Sequence, residues 1–265
     1  MSGGREAAPA PGARLDGVTV LLTGASRGIG AATARALGAA GAHLVAHYGG
    51  HREGAEQAVA AIPTERRLLV GADLRRPGAA RALWGEAVGW RGRIDVLVAN
   101  AAVMPHTPLE ATDADWDAAW DEVLRVNVLE PANLMREAVR HFRAHGGGRV
   151  ITLSSWAAER GSAIAQLGGY AASKAAVRNL TQTIALNHAR DGVLAYVVAP
   201  GIVRTRMSEI SAESRGGIEA VNAMLSLGEM VPPEEVAALI VFLAGGECRH
   251  LTGATLDVNG ATYIR

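Results

Sequence analysis

Cysteine is almost missing from this chain: Cys248 is the single one in 265 residues. One thiol cannot close an internal disulfide, and it offers no cysteine-based metal site; none of any kind is expected. The composition suits a reducing compartment, so the expected location is cytoplasmic. An excess of charge of either sign is missing too. Lysine plus arginine number 26, aspartate plus glutamate number 26, and the pI is near 7.1. That balance gives no electrostatic case for nucleic acid or an anionic membrane as partner. No apolar run approaches the ~20 residues of a membrane span. Residues 1–14 are rich in Ala, Pro and Gly without an apolar centre. They are expected to be a disordered lead-in, not a signal peptide. Internal repeats and low-complexity segments are absent.

What the chain does have is an apolar fraction of 49%, enough for one large core. Short apolar runs at 18–22, 43–46 (ending at His47 and Tyr48), 67–74, 94–99, 149–155, 194–199 and 255–258 read as strands. The first shows no alternation, as expected of a strand buried on both faces. Helical patterns separate the runs. The longest, 113–145, reads as two helices broken or bent near Glu130 and Pro131. Strand–helix alternation predicts an α/β fold: a doubly wound, seven-stranded parallel sheet with helices on both faces. One domain is expected over 15–265, with ligands at the C-terminal edge of the sheet. The polar stretch 204–231 reads as a flexible lid over the site.

Three stretches carry chemistry. Thr23, Gly24, Ala25, Ser26, Arg27, Gly28, Ile29 and Gly30 follow the first strand and open a helix. This context suits a dinucleotide pyrophosphate, with glycines for the turn and close approach and helix amides facing the anion. At the end of the second strand, Tyr48 stands where an NAD-selective site places a carboxylate. Arg27, with Arg52 or His51, could meet a 2′-phosphate, or the arginines could be solvated surface charges; the balance favours NADP(H) over NAD(H). Asp73, at the end of the third run, could bond adenine or cap the helix expected from near Pro77. Tyr170 and Lys174 fall four apart on an Ala-rich helix and so share a face. A fixed cation near a phenol favours the phenolate and should lower its pKa, making Tyr170 a usable acid–base group. His47 and His51 are expected on the surface.

In this order, these stretches resemble the short-chain dehydrogenase/reductase family from residue 16 to about 260. Thr23 to Gly30 resembles its T-G-x-x-x-G-x-G, and Ala99, Asn100, Ala101 and Ala102 resemble its N-N-A-G. Asp73 matches its adenine-contacting acid. Asn127, Ser155, Tyr170 and Lys174 match its catalytic set, and Pro200, Gly201, Ile202, Val203, Arg204 and Thr205 its P-G-x-V-x-T. Ala99 and Ala102 depart from the usual Asn and Gly. The segment from Ser155 to Tyr170 is two residues longer than in many members, which leaves Ser154 as the other choice for the serine. The resemblance implies a Rossmann fold and hydride transfer between nicotinamide and a carbonyl or secondary alcohol. It implies that Tyr170 moves the proton and that Lys174 bonds the nicotinamide ribose and lowers the tyrosine pKa. Ser155 would bond the substrate oxygen, and Asn127 would hold a relay water. It further implies a dinucleotide site built from Gly24, Ser26, Arg27, Gly28, Ile29, Gly30, Tyr48, Asp73, Leu74, Asn100, Ala101, Ala102, Tyr170, Lys174, Pro200, Gly201, Val203 and Thr205.

The expected activity is NADP-dependent reduction of a ketone or 3-oxoacyl group. The alternative is an NAD-dependent sugar or secondary-alcohol dehydrogenase. An acyl-carrier partner would want a basic entrance. Arg204, Arg206 and Arg215 could form one, but Glu209, Glu213 and Glu219 sit among them. A non-catalytic dinucleotide sensor is the reading of a different class. The resemblance also implies a homo-oligomer, tetramer or dimer, using 113–145, 169–190 and 251–265.

Overall fold

The first strand, β1 (Thr19–Leu22), is buried along its whole length. Val20 and Leu22 point into one apolar layer and Leu21 into the other, as the two-residue period of a strand requires. The computed structural model describes residues 13–213 and 216–264. The expected lead-in therefore lies, through residue 12, outside the described residues, as does Arg215.

Six further strands join β1: β2 (His43–Tyr48), β3 (Arg67–Gly71), β4 (Val96–Ala99), β5 (Gly148–Leu153), β6 (Val193–Pro200) and β7 (Thr255–Val258). All pairings are parallel, in the order β3-β2-β1-β4-β5-β6-β7. The helices are α1 (Gly28–Ala39), α2 (Arg52–Ala58), α3 (Ala79–Arg91), α4 (Asp113–Leu124), α5 (Glu130–Ala144), α6 (Ala157–Arg160), α7 (Gly168–His188), α8 (Arg206–Glu213), α9 (Ile218–Ala223) and α10 (Pro233–Gly245). Residues of α1 and α10 pack on one face of the sheet, and those of α3, α5 and α7 on the other. Fully buried leucines such as Leu21, Leu22 and Leu97 each contribute roughly 2 kcal/mol by leaving water. The chain is thus the doubly wound α/β Rossmann fold that the alternation predicts. Its strand order reverses direction between β1 and β4, the switch point at whose C-terminal edge folds of this kind bind ligands in a crevice.

Some boundaries differ from expectation for local reasons. β3 stops at Gly71 because the chain turns at Asp73, whose carbonyl accepts from the Arg76 amide at 3.0 Å. β5 stops at Leu153, leaving Ser154 and Ser155 beyond the sheet. The break in the long helix is a π-turn, Arg125–Leu129, one residue ahead of the expected place. Glu130, at the start of α5, is fully buried and reaches back to the N-terminus of α3. It accepts from Ala80 N at 2.9 Å and Gly78 N at 3.3 Å.

Candidate active site

The loop from β1 into α1 is fastened to the loop after β4. The Thr23 hydroxyl accepts from the amides of Asn100 and Ala101, both at 3.0 Å. The Asn100 amide donates back to the carbonyls of Thr23 (2.8 Å) and Gly24 (3.1 Å). Asn100 therefore braces the loop. Ala102 needs no glycine-like backbone: among the described residues the only non-glycine with positive φ is Ala261. Gly28 adopts φ +51, and a Cβ there would press Thr205 Cγ2 at 2.8 Å; at Gly30 a Cβ would overlap the Gly24 carbonyl. No side chain caps α1 and its first turn carries no acid. The first amides and the positive end of the helix dipole are left for an anion. Ser26, Gly28, Ile29 and Thr205 surround this cradle, which fits a dinucleotide pyrophosphate.

At the far end of the crevice the expectations need correcting. His47 is not on the surface; it is 2% exposed. Its Nδ1 accepts from the Gly24 amide at 3.2 Å and its Nε2 donates to the Ala72 carbonyl at 2.9 Å. Burial lowers its pKa, with the bond to Ala72 opposing. His51 is half-buried and caps α2, accepting from Gly54 N at 3.1 Å. Arg52 pairs with Glu56 at 2.7 Å. With both engaged, exposed Arg27 is, among the described residues, the open cation at this end of the loop. The Tyr48 ring lies over Gly71. Asp73 does not cap α3. It accepts from the Arg75 amide at 3.0 Å and pairs with the Arg75 guanidinium, which also holds Glu122 at 2.7 Å. Leu74 is buried in the core.

The catalytic candidates converge at the start of α7. That helix is seated by Thr107, whose hydroxyl accepts from Gly169 N at 3.0 Å. Tyr170 is half-buried, and its phenol faces the Ser155 hydroxyl closely enough to feel it. Ser154 is ruled out by its geometry, since its hydroxyl donates to the Lys174 carbonyl at 2.9 Å. Lys174 is 4% exposed; its ammonium donates to the Leu153 carbonyl at 2.7 Å and lies 5.6 Å from the Tyr170 ring centroid. Tyr170 is pushed up to about 12 by burial, with the Ser155 hydroxyl opposing; burial alone brings Lys174 down to about 8. The expected lowering of the phenol by the neighbouring cation is thus overturned here. The ammonium is aimed at a backbone carbonyl, and desolvation outweighs the charge.

Asn127 lies in the π-turn with its side chain fully engaged. Oδ1 accepts from Val103 N at 2.8 Å, and Nδ2 donates to Val103 O at 2.9 Å and Ser173 Oγ at 3.0 Å. Ser173 in turn donates to the Tyr170 carbonyl at 2.7 Å. A cavity of about 10 Å³ lies between Asn127 and Lys174, closed by Ala99, Ala101, Thr152 and Leu153. Across the crevice, Pro200 O accepts from Trp156 N at 3.1 Å and Gly201 N donates to Val258 O at 2.9 Å. Residues 204–231 form an excursion holding α8 and α9. Its stem is pinned where Val203 bridges Val231, and Ala212, Val221 and Met230 form a small core within it. Behind Ser155, the Arg160 guanidinium stacks 5.1 Å over Trp156 and 5.9 Å over Tyr263.

Residues 24–261 match the family model described as "Enoyl-(Acyl carrier protein) reductase". The chain belongs to the short-chain dehydrogenase/reductase family. It is 36% identical over 244 residues to cis-4-hydroxycyclohexanecarboxylate dehydrogenase of Sinomonas cyclohexanicum, covering 91% of this chain and 94% of that one. It is 38% identical over 248 residues to the short-chain reductase NovJ of Streptomyces niveus, covering 91% and 92%. Among solved structures it is similar to a putative NAD(P)-dependent gluconate 5-dehydrogenase from Beutenbergia cavernae with bound NADP. There the TM-score is 0.84 and the identity 32%, with 94% of this chain and 98% of that one covered. As a short-chain dehydrogenase/reductase, the chain is an oxidoreductase of the NAD(P)-using, alcohol and ketone class.

Sequence reasoning missed His47, Ser173, Thr107 and Glu130. The one signal for His47 was a polar residue at the end of an otherwise apolar strand. The others act through partners more than 40 residues away, which spacing does not reveal.

Proposed function

We propose that this short-chain dehydrogenase/reductase interconverts a ketone and a secondary alcohol with NADP(H), in the reductive direction, on a small carbonyl substrate. The observation that carries this is the meeting of Tyr170, Lys174 and Ser155 at the C-terminal end of β5, with the Lys174 ammonium 5.6 Å from the Tyr170 ring centroid. The phenol is protonated at neutral pH and can give its proton to a carbonyl oxygen as charge develops there. Ser155 donates the second hydrogen bond to that oxygen as charge develops, worth roughly 3 kcal/mol of barrier by analogy with oxyanion holes. Hydride is the chemistry that a bound nicotinamide dinucleotide supplies. Gly24, Ser26, Gly28 and Ile29 would cradle its pyrophosphate, and Arg27 its 2′-phosphate. Tyr48, Asp73 and the Leu74 backbone would border adenosine; Ala101, Ala102, Pro200, Gly201, Val203 and Thr205 would border the nicotinamide half. Lys174 would hold the ribose and restore the Tyr170 proton through the adjoining cavity, which at about 10 Å³ has room for about one water. Asn127 lines that cavity itself, its side chain held in place by Val103 and Ser173.

The names of two relatives, a hydroxycyclohexanecarboxylate dehydrogenase and a gluconate dehydrogenase, favour a second reading, oxidation of a ring or sugar alcohol. A 3-oxoacyl carrier substrate is less well supported: exposed Arg204 and Arg206 share their segment with Glu209, Glu213 and Glu219. We also propose a homo-oligomer, supported by the exposed Leu124 and Leu129 at the end of α4 and the turn after it, and by exposed Leu186, Phe242 and Ile264. A cytoplasmic location remains part of this reading.

The test is NADPH and NADH oxidation against ketones, diketones, ketoacids and keto-sugars, with the reverse reaction on the alcohols, for the parent and Tyr170→Phe. Turnover should fall by about 10²–10⁴ in the variant with dinucleotide affinity kept. A variant as active as the parent would refute the proton-transfer role, and equal use of NADH would refute the Arg27 argument. Binding of dinucleotide by a parent without turnover on any substrate would favour the sensor.

A further inference from the structure

Resting on the dinucleotide site proposed above, we infer that His47 is a positioning residue for the dinucleotide loop, acting through the amide of Gly24. The residue holds two consecutive loop amides. Gly24 N donates to its Nδ1 at 3.2 Å, and Ala25 N donates to its backbone carbonyl at 2.8 Å. The other ring nitrogen reaches the Ala72 carbonyl at 2.9 Å, so one imidazole ties together the C-terminal ends of β1, β2 and β3. Those partners fix the proton. An amide can only donate, so Nδ1 carries the lone pair; a carbonyl can only accept, so Nε2 carries the hydrogen. A doubly protonated ring would turn an N–H against the Gly24 N–H. The loop geometry therefore requires the neutral ring.

The groups that the ring touches, Gly24 and Ala72, carry no charge. The nearby titratable side chains are turned to other partners: Tyr48 lies over Gly71 and faces Arg52, and Asp73 holds Arg75. No counter-ion offsets the burial, which keeps the imidazole below its ordinary value of 6.5. Dinucleotide affinity should be level above about pH 6.5 and fall as the pH drops through the His47 titration below it.

Two substitutions separate positioning from bracing. His47→Asn places a carbonyl oxygen near the position of Nδ1 and can still accept from Gly24. His47→Gln reaches the position of Nε2 and keeps the Ala72 bond instead. NADPH and NADH binding is followed by fluorescence titration from about pH 8 to about pH 5.5, with circular dichroism melts alongside. Labelled imidazole nitrogens in the parent report the tautomer directly. At pH 8, His47→Asn should stay within about threefold of the parent and His47→Gln should bind roughly tenfold more weakly. On acidification the parent should lose affinity and His47→Asn should not. Comparing the two cancels protonation of the nucleotide's own phosphates. Equal affinity in both variants, parallel pH profiles of parent and His47→Asn, or a proton on Nδ1 in the parent at pH 8 would each overturn the inference. A parent that binds neither nucleotide would instead overturn the dinucleotide site itself.

Discussion

Lys174 is the only lysine in the chain; every other fixed side-chain cation is arginine. Burial brings its ammonium from 10.5 down to about 8. Between those values the unfolded chain binds a proton that the folded chain does not. Stability must therefore rise with pH across the window, by about 3 kcal/mol in full, and below pH 8 the fold carries that cost. Lys174→Met removes the titrating group. It also removes the hydrogen bond to Leu153, an offset of about 1–3 kcal/mol that does not vary with pH. The prediction therefore concerns slope. In urea denaturation at intervals from pH 7 to 10.5, the parent should gain about 3 kcal/mol relative to Lys174→Met. A second assay needs no variant. Lysine labelled with ¹³C next to the ammonium should give one resonance, titrating near 8. Superimposable stability profiles, or a resonance that titrates above 10, would refute the claim that this cation sits desolvated against a carbonyl.

Arg27→Ala should weaken NADPH binding by roughly tenfold and leave NADH nearly unchanged, because it removes the exposed cation proposed to meet a 2′-phosphate; isothermal titration with both nucleotides checks this. Glu130→Ala should cost about 3 kcal/mol in urea denaturation, since it strips two amides at the start of α3 and one partner of Arg125. Ala261→Gly should stabilise by about 1 kcal/mol, seen as a raised melting temperature, because Ala261 holds φ 57, a conformation that costs a residue with a Cβ.

The strands were legible because most of the sheet is buried on both faces, so the run of β4 is apolar throughout and that of β1 is apolar after Thr19. The Gly loop was legible for a steric reason: a Cβ at Gly30 has nowhere to go. The caps were not. The N-terminus of α3 is satisfied by Glu130, fifty residues later, and that of α7 by Thr107, sixty-two residues earlier. Helical spacing placed Tyr170 beside Lys174 but carried no information about depth, and depth decides the direction in which both groups titrate. The excursion at 204–231 reads as a flap because it is polar; the apolar contacts of Ala212, Val221 and Met230 appear only once α8 and α9 fold against each other.

His47 shows what the sheet order adds. Its two ring partners lie 23 residues before it and 25 after it, and they meet only because β2 runs between β1 and β3. The loop then hangs from two sides: Thr23 and Asn100 fix it across the switch point, and His47 fixes it from β2. Every group in that suspension is uncharged, which leaves the positive end of α1 unopposed for phosphate. The reacting end is built differently, from a phenol and an ammonium whose titration is set by burial. The two ends share no side chain. Substitutions at His47 should therefore move dinucleotide affinity without changing the rate at saturation, and substitutions at Ser155 should lower that rate with dinucleotide affinity kept. A variant at either end that moved both quantities together would mean that the loop and α7 shift as one body. The separate fastenings, Thr23 with Asn100 at the loop and Thr107 at α7, argue against that.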